Sequence, residues 1–346
     1  MEKSNKGTKI QDYFVKVFNG MALGLFSSLI IGLIIKQIGT LLNIKTIIAF
    51  GQFAQYMMGP AIGAGVAYSI GSSPLAIFAS IVTGAIGAGT ISINADTAIA
   101  SINIGEPMGA FVAAILGAET SKLIKGKTKV DIVLVPLVTI LVGGFSGHYI
   151  SPIASKFMFY LGNLINMATE LKPIPMGILV STLMGIALTL PISSAAIAIS
   201  LGLSGLAGGA SVVGCCAQMV GFAVSSFREN GIGGFIAQGI GTSMIQIPNI
   251  IKNPRIWIPP TIASAILGPL STTVFKMECN KVGAGMGTSG LVGQFGTIDV
   301  MGASPKTFIN IALLHFILPA IISFVVSEYM RKKGYIKEND MLLKDM

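Results

Sequence analysis

The chain has 346 residues, of which 52% are hydrophobic and 11% are charged, and its mean hydropathy is +0.78. Soluble domains carry about 25% charged residues, so this composition excludes an ordinary soluble protein and indicates an integral membrane protein. The formal net charge of +9 comes largely from lysines in short hydrophilic connections, a pattern that orients spans in a bilayer. We therefore expect contact with the lipid bilayer and none with nucleic acid.

Apolar stretches long enough to cross a hydrocarbon core of roughly 30 Å recur along the chain. With a cytoplasmic N-terminus, the basic segments "KLIKGKTK" and "RKKGYIK" and the region around Arg228 also fall inside. This orientation predicts that both termini are cytoplasmic. The predicted fold is one all-α polytopic domain over residues 1–346, with ten spans near 18–36, 47–70, 74–91, 107–122, 131–149, 152–168, 174–198, 205–226, 256–275 and 307–329.

Two stretches are too rich in glycine to form continuous transmembrane helices: residues 231–249 and "GAGMGTSGLVGQFGT" at 283–297. Irregular backbone at membrane depth survives only where protein or a watery cavity satisfies its amides. We therefore predict two re-entrant hairpins that line a solute site. The alternative is a pair of surface loops, although apolar residues such as Phe235 and Ile240 are more frequent than a solvated loop requires.

A first polar group precedes the predicted span at 107–122 and contains Asn94, Asp96, Asn103 and Glu106. A carboxylate accepts several charge-assisted hydrogen bonds from hydroxyls, so Glu106 is the leading candidate for binding a polyol, with Asn94 and Asp96 as further candidates. The alternative is that Glu106 stabilises the dipole of the helix that begins at Pro107.

A second polar group lies in and around the two glycine-rich stretches. Amide side chains both donate and accept hydrogen bonds, so this group predicts a site that binds a small polar solute through hydroxyls or amides. Arg228 and Glu229 are predicted to stand at the cytoplasmic mouth of the cavity, or else to form an interfacial ion pair. A turn or helix-end role is an alternative for Gln246 and Asn249. The predicted solute-binding amides are Asn230, Gln238, Gln246, Asn249 and Gln294.

Other chemistry has no support in the sequence. His148 and His315 lack carboxylates or cysteines at ligand spacing, so we predict no metal site. Cys215 and Cys216 are adjacent and diverge by about 100° on a helix, so they predict no disulfide. There is no Walker loop and no nucleophilic triad. We therefore expect no cofactor and no catalytic site of the chain's own.

A family resemblance covers nearly the whole chain. It rests on "MGPAIGAGVA", "GEPMGAFVAAILGAE", "GKTKVDIVLVP", "LPISSAAIA", "AGGASVVGCCAQMVGFAV", "ENGIGGFIAQGIGTSMIQIPNI", "IWIPP" and "GAGMGTSGLVGQ". With these motifs the chain resembles the enzyme IIC-like membrane proteins of the phosphotransferase system, in the branch of the perfringolysin O regulator-like proteins. The "GEP" at Gly105–Pro107 is similar to an element of sugar permeases whose glutamate contacts sugar. Glu106 would correspond to that glutamate.

The resemblance implies an elevator-type permease of the bacterial inner membrane that works as a homodimer and carries a sugar or sugar derivative. Coupled phosphorylation would need a separate enzyme IIB-like phosphocarrier, since no soluble phosphocarrier domain is recognisable. No histidine accompanies the "GEP" element, which departs from the usual sugar-site pairing. The alternative function is a membrane sensor or regulator of gene expression that has lost transport and acts through a partner. An ion or water channel is less favoured because no selectivity ring is present.

Overall fold

The computed structural model describes residues 2–93, 100–169 and 171–343. They form two compact units, residues 1–157 and 158–346, each built mainly from apolar helices. Among the described residues, four helices are long and apolar enough to cross a membrane. They are Asp12–Thr40, Asp131–Tyr149, Gly205–Ser225 and Pro305–Lys332.

The first unit is a set of helices with one pair of short strands. The strands pair antiparallel, with Ile91 opposite Ile102, and precede the helix that begins at Pro107. Its helices are Glu2–Leu25, Ile31–Leu41, Lys45–Tyr56, Met58–Ser69, Pro74–Ala88, Pro107–Lys122 and the first part of Asp131–Thr169; a π-helical turn at Phe26–Ile30 joins the first two, and the strands are Ile91–Ile93 and Ala100–Ile102.

The second unit combines long helices with short, broken ones. Its α-helices are Pro173–Thr189, Ser194–Ser200, Gly205–Ser225, Phe227–Ile236, Ile247–Lys252, Ile258–Thr273, Val292–Met301, Pro305–Ile311 and Leu318–Lys332. Single turns of 3-10 helix lie at Ser243–Gln246, Pro254–Trp257 and Ser289–Leu291, and π-helical turns lie at Ala237–Gly241 and Ala312–Ile317.

Small residues let the helices of the first unit pack with their backbones in contact. A Cβ added to Gly20 would lie 2.3 Å from the carbonyl oxygen of Gly65, and one added to Gly84 would lie 2.2 Å from that of Gly59. Packing of this kind replaces the hydrophobic drive that is missing between helices in lipid. It accounts for much of the glycine in the apolar sequence.

The helix Gly205–Ser225 is the centre of the second unit. Within its most apolar 18 residues, 89% are buried inside the protein, compared with 33% for the corresponding part of Pro305–Lys332. It packs against Pro173–Thr189, Ile258–Thr273 and Leu318–Lys332. A helix that is covered on every side does not face lipid directly, so its polar residues are available for contacts within the protein.

Four predicted spans differ from the helices observed. The stretch 47–70 is two helices that break at Met57, because Pro60 has no N–H to donate to the carbonyl of Tyr56. The stretch 174–198 breaks at 190–193, because a residue before proline avoids helical backbone and Leu190 is extended. The spans 131–149 and 152–168 lie in one helix of 39 residues, although the sequence has a proline at 152.

Candidate functional site

Glu106 lies in the first unit, directly before the helix Pro107–Lys122. Its backbone is extended and its side chain makes no capping hydrogen bond to that helix. The turn is fixed by backbone: the N–H of Glu106 donates to the carbonyl of Ala88 at 2.9 Å, and Gly105 has a φ of 83° with that carbonyl 2.4 Å from where a Cβ would stand. Only glycine fits there. Asn94 and Asp96 lie outside the described residues.

The predicted hairpin at 231–249 is a series of broken helical turns that is largely exposed before Ala237 and buried from Gly241 to Asn249. Gly231 interrupts the first helix with φ 57° and ψ −155°, and Thr242 is extended between the π-helical turn and the 3-10 turn. The hydroxyl of Thr242 caps that 3-10 turn by accepting from the N–H of Met244 at 3.2 Å. These interruptions bring Gln238 and Gln246 into contact.

We name the four side chains Asn230, Gln238, Gln246 and Asn249 the amide cluster. Gln246 Nε2 donates to Gln238 Oε1 at 2.8 Å, and Asn249 Nδ2 donates to Gln246 Oε1 at 2.8 Å. Gln238 Nε2 then donates to Ser226 Oγ at 2.8 Å and to the carbonyl of Gly234 at 2.9 Å. Both glutamines are fully buried, and every one of their polar atoms has a partner.

Residues 340–343, after the last helix, occupy the remaining groups of the amide cluster. The carbonyl of Met341 accepts from Asn230 Nδ2 at 2.8 Å and from Gln246 Nε2 at 3.0 Å. Asn249 Nδ2 donates to the carbonyl of Leu342 at 3.0 Å, and the N–H of Leu343 donates to Asn230 Oδ1 at 2.8 Å. The amides therefore bind the chain's own backbone in this structure.

Arg228 and Glu229 do not pair with each other; each contacts the last helix. Arg331 lies 2.7 Å from Glu229, and these side chains are 13% and 3% exposed. Arg228 is 65% exposed and lies 3.1 Å from Glu328. Arg228 and Glu328 also line a cleft of about 390 Å³ together with Phe227, Phe235 and Phe324. Both interactions are ion pairs between elements, and neither is the pair between Arg228 and Glu229 that the alternative interpretation expected.

Gln218, on the central helix, is at the centre of a second closed network. Its Oε1 accepts from Trp257 Nε1 at 2.9 Å and from Thr189 Oγ1 at 3.2 Å, while its Nε2 donates to Thr261 Oγ1 at 3.1 Å. Thr189 is also 2.8 Å from Ser243 Oγ. This network joins five elements of the second unit and leaves no atom of the carboxamide unmatched.

The second glycine-rich stretch, 283–297, packs its backbone directly on the central helix. Gly287 has a φ of 54°, and a Cβ there would lie 2.8 Å from the backbone carbon of Cys215. Ser194 Oγ donates to the carbonyl of Gly285 at 2.7 Å. Glycine is required here for close approach and for a left-handed backbone. The stretch ends in the helix Val292–Met301, which carries Gln294.

Gln294 contacts His315, and the pair is buried in the second unit. Gln294 Nε2 lies 3.0 Å from His315 Nδ1, and it also donates to Cys216 Sγ at 3.5 Å. His315 is fully buried and lies in the π-helical turn Ala312–Ile317, a feature common at functional sites. Among the residues that the structure describes, Gln294 Oε1 and His315 Nε2 have no hydrogen-bond partner.

The structure therefore brings some predicted residues together and separates others. Asn230, Gln238, Gln246 and Asn249 form one cluster, Gln294 forms another with His315, and Glu106 lies in the other unit. Sequence reasoning missed His315, which it considered only as a metal ligand. The available signal was an ionisable side chain inside a long apolar stretch, which is a functional candidate by default in a membrane protein.

Comparison with known proteins gives one match. The family model described as "Phosphotransferase system, EIIC" matches residues 15–343. No curated protein and no solved structure matches the chain.

Proposed function

The chain belongs to the EIIC family of the phosphotransferase system, and from this premise we propose that it carries a sugar or sugar derivative whose hydroxyl is bound by Gln294 and His315. Family membership makes the chain an integral membrane permease component of a sugar phosphotransferase system, which works in general with an EIIB partner. The alternative of a transport-deficient regulator has no support from this match.

The observation that carries the proposal is the pair of unmatched atoms on Gln294 and His315. A carboxamide nitrogen only donates, so Nδ1 of the neutral His315 ring accepts and the ring proton is on Nε2. The pair then has one free acceptor, Gln294 Oε1, and one free donor, His315 Nε2–H. A hydroxyl group can bind to both the free acceptor and the free donor, because it donates one hydrogen bond and accepts others.

Leaving such groups unmatched is costly, which is why they indicate a ligand. A buried polar atom without a partner costs about 1–3 kcal/mol, and native proteins contain few of them. The adjoining elements carry two further unmatched atoms among the described residues: Ser289 Oγ in the 3-10 turn before the helix of Gln294, and Asn310 Nδ2 in the helix before the π-helical turn of His315. A polyhydroxylated solute would supply partners of both kinds.

We also propose an architecture for the protein in the bacterial inner membrane. It has ten spans, with both termini cytoplasmic, and two re-entrant hairpins at 231–249 and 283–297. The protein is proposed to form a homodimer and to transport by an elevator movement. Burial and interrupted helices in both stretches support re-entrance. The whole chain is proposed as one polytopic domain of the perfringolysin O regulator-like branch.

The other predicted site residues keep separate roles in the proposal. Glu106 is proposed as a charged contact to solute hydroxyls, and Asn94 and Asp96 as accompanying contacts. Asn230, Gln238, Gln246 and Asn249 are proposed to contact solute only when residues 340–343 leave them, since their amides are otherwise engaged. Arg228 and Glu229 are proposed to stand at the cytoplasmic mouth.

Uptake into vesicles tests the proposal. Purified protein is first screened against sugars by thermal shift, since a ligand that binds the folded state raises its stability by mass action. The ligand is then radiolabelled, and its exchange across proteoliposomes is compared for wild type and His315→Leu, a change that removes both ring nitrogens. We expect exchange with wild type and at least a tenfold lower affinity with His315→Leu. Equal affinities in both proteins would remove His315 from the solute site.

A further inference from the structure

Residues 335–343 fold back on the second unit after the last helix ends. Gly334, with a φ of 72°, reverses the chain, and Tyr335 N–H returns a hydrogen bond to the carbonyl of Met330 at 2.9 Å. The segment then follows the ends of the broken helices at 230–253. It contains only turns and irregular backbone, so no ladder or helix of its own holds it in place.

Buried side chains anchor this segment at two points. Ile336 and Met341 are 2% and 0% exposed. Between them, Asp340 Oδ2 accepts from Asn253 Nδ2 at 2.7 Å and from the N–H of Lys337 at 2.7 Å. At the start, Arg255 lies over the Tyr335 ring, 5.2 Å from its centroid.

The amide cluster recognises the segment through its backbone. The groups it contacts are the carbonyls of Met341 and Leu342 and the N–H of Leu343. A carboxamide that donates to a carbonyl and accepts from an N–H copies the pairing of two peptide units, and it reads chain direction more than side-chain identity. The Met341 side chain, which is fully buried, is the part of this stretch whose size and polarity the surrounding protein constrains.

From these contacts we infer that the amide cluster is a docking site for peptide backbone and that residues 335–343 are its exchangeable occupant, a latch that ties the 230–249 segment to the last helix. Release of the latch frees the carboxamides of Asn230, Gln246 and Asn249 and allows the segment to move relative to the helix that carries His315. This inference concerns regulation and goes beyond the proposed solute site.

A latch differs from a permanent part of the fold because it can detach while the rest of the protein stays folded. The segment is held by a few hydrogen bonds and two buried side chains, whereas the helix Leu318–Lys332 has a full hydrogen-bond ladder. Segments with few contacts open with less free energy than the whole protein does. A latch should therefore exchange its amide hydrogens by its own opening, without unfolding of the helix before it.

Hydrogen exchange on the wild-type protein tests this directly. We expect the amides of residues 340–343 to exchange at least about tenfold faster than those of Leu318–Lys332 and at least about tenfold slower than those of the free peptide YIKENDMLL. Exchange as slow as in the helix would make the segment a fixed part of the fold. Exchange as fast as in the free peptide would show that it does not dock. Either result overturns the inference.

Peptide exchange in trans tests the docking site itself. Met341→Asp places a charge in an enclosed pocket and should expel the segment from the full-length protein, whereas Glu338→Gln, at an exposed position, should not. Labelled YIKENDMLL is expected to bind Met341→Asp saturably and to bind Glu338→Gln at least about tenfold more weakly, since the resident segment competes there. Equal binding to both proteins, or none to a folded Met341→Asp protein, would overturn the inference. Neither hydrogen exchange nor peptide binding involves a solute. The latch can therefore be refuted while the proposed solute site stands, and the reverse is also true.

Discussion

The amide cluster and the Gln294–His315 pair are both buried in the second unit, but they differ in how their hydrogen bonds are used. In the cluster, Gln246 gives to Gln238 and to the backbone of Met341 and receives from Asn249. In the pair, one acceptor and one donor have no partner among the described residues. A fully paired network contributes to stability and fixes geometry, whereas unpaired buried groups can still form hydrogen bonds to a ligand. Polar residues in a membrane protein therefore do not mark a solute site by number alone.

Breaking an ion pair that accompanies the closed network should have the largest effect. Glu229→Ala leaves the largely buried Arg331 without its carboxylate, and we expect a loss of about 4 kcal/mol in the free energy of unfolding. Arg228→Ala is the matched control, since Arg228 is 65% exposed and its pair with Glu328 is worth less than about 1 kcal/mol. Denaturation in detergent measures both. Similar losses would show that the two pairs are equally solvated.

Removing the centre of the amide cluster should cost nearly as much. Gln246→Leu leaves Gln238, Asn249 and the carbonyl of Met341 each one partner short, so we expect a loss of about 3 kcal/mol in the free energy of unfolding. Solute affinity, measured on folded protein with residues 340–343 in place, should change less than about twofold, because Gln246 is proposed to contact solute only after these residues leave. A folded variant with full stability and lost affinity would reverse the comparison and place the solute on the cluster.

Glu106 tests the predicted solute contact in the first unit. Glu106→Gln keeps the size of the side chain and removes its charge, so charge-assisted hydrogen bonds to solute hydroxyls should weaken by about 2 kcal/mol, or roughly thirtyfold in affinity. Calorimetry with the identified sugar measures this. If Glu106 only stabilises the helix dipole, affinity will stay the same and unfolding will become easier by about 0.3–1 kcal/mol.

Local signals in the sequence predict the helices that begin or end at a residue with a strong positional preference, such as proline in a first turn. The helix Pro107–Lys122 coincides with its prediction because Pro107 is favoured in a first turn, and Gly205–Ser225 differs by one residue from the predicted 205–226. The breaks at Met57 and at residues 190–193 were missed, although Pro60 and Pro191 cause them. Hydropathy averages over a window, so it does not register a single missing N–H inside an apolar run.

The candidate site was less predictable because its contacts join distant residues. Gln294 and His315 are 21 positions apart on different elements, and no periodicity links them. The amide cluster binds residues 340–343 across about a hundred positions through backbone groups, which every residue possesses. Residue types identified Gln238, Gln246 and Asn249 as polar groups that need partners. Only the tertiary structure shows that the chain itself supplies those partners.

The central claim is that unmatched groups on Gln294 and His315 bind the solute, and matched mutants of two buried glutamines test it most directly. Gln294→Met removes an unmatched acceptor together with the donor to His315 Nδ1, so the relieved and the new penalty offset each other, whereas Gln218→Met breaks a closed network with Trp257, Thr189 and Thr261. Calorimetry with the identified sugar should show about a tenfold loss of affinity for Gln294→Met with stability nearly unchanged, and unchanged affinity for Gln218→Met with stability lower by about 2 kcal/mol. Unchanged affinity in Gln294→Met, or a loss of stability as large as in Gln218→Met, would contradict the account.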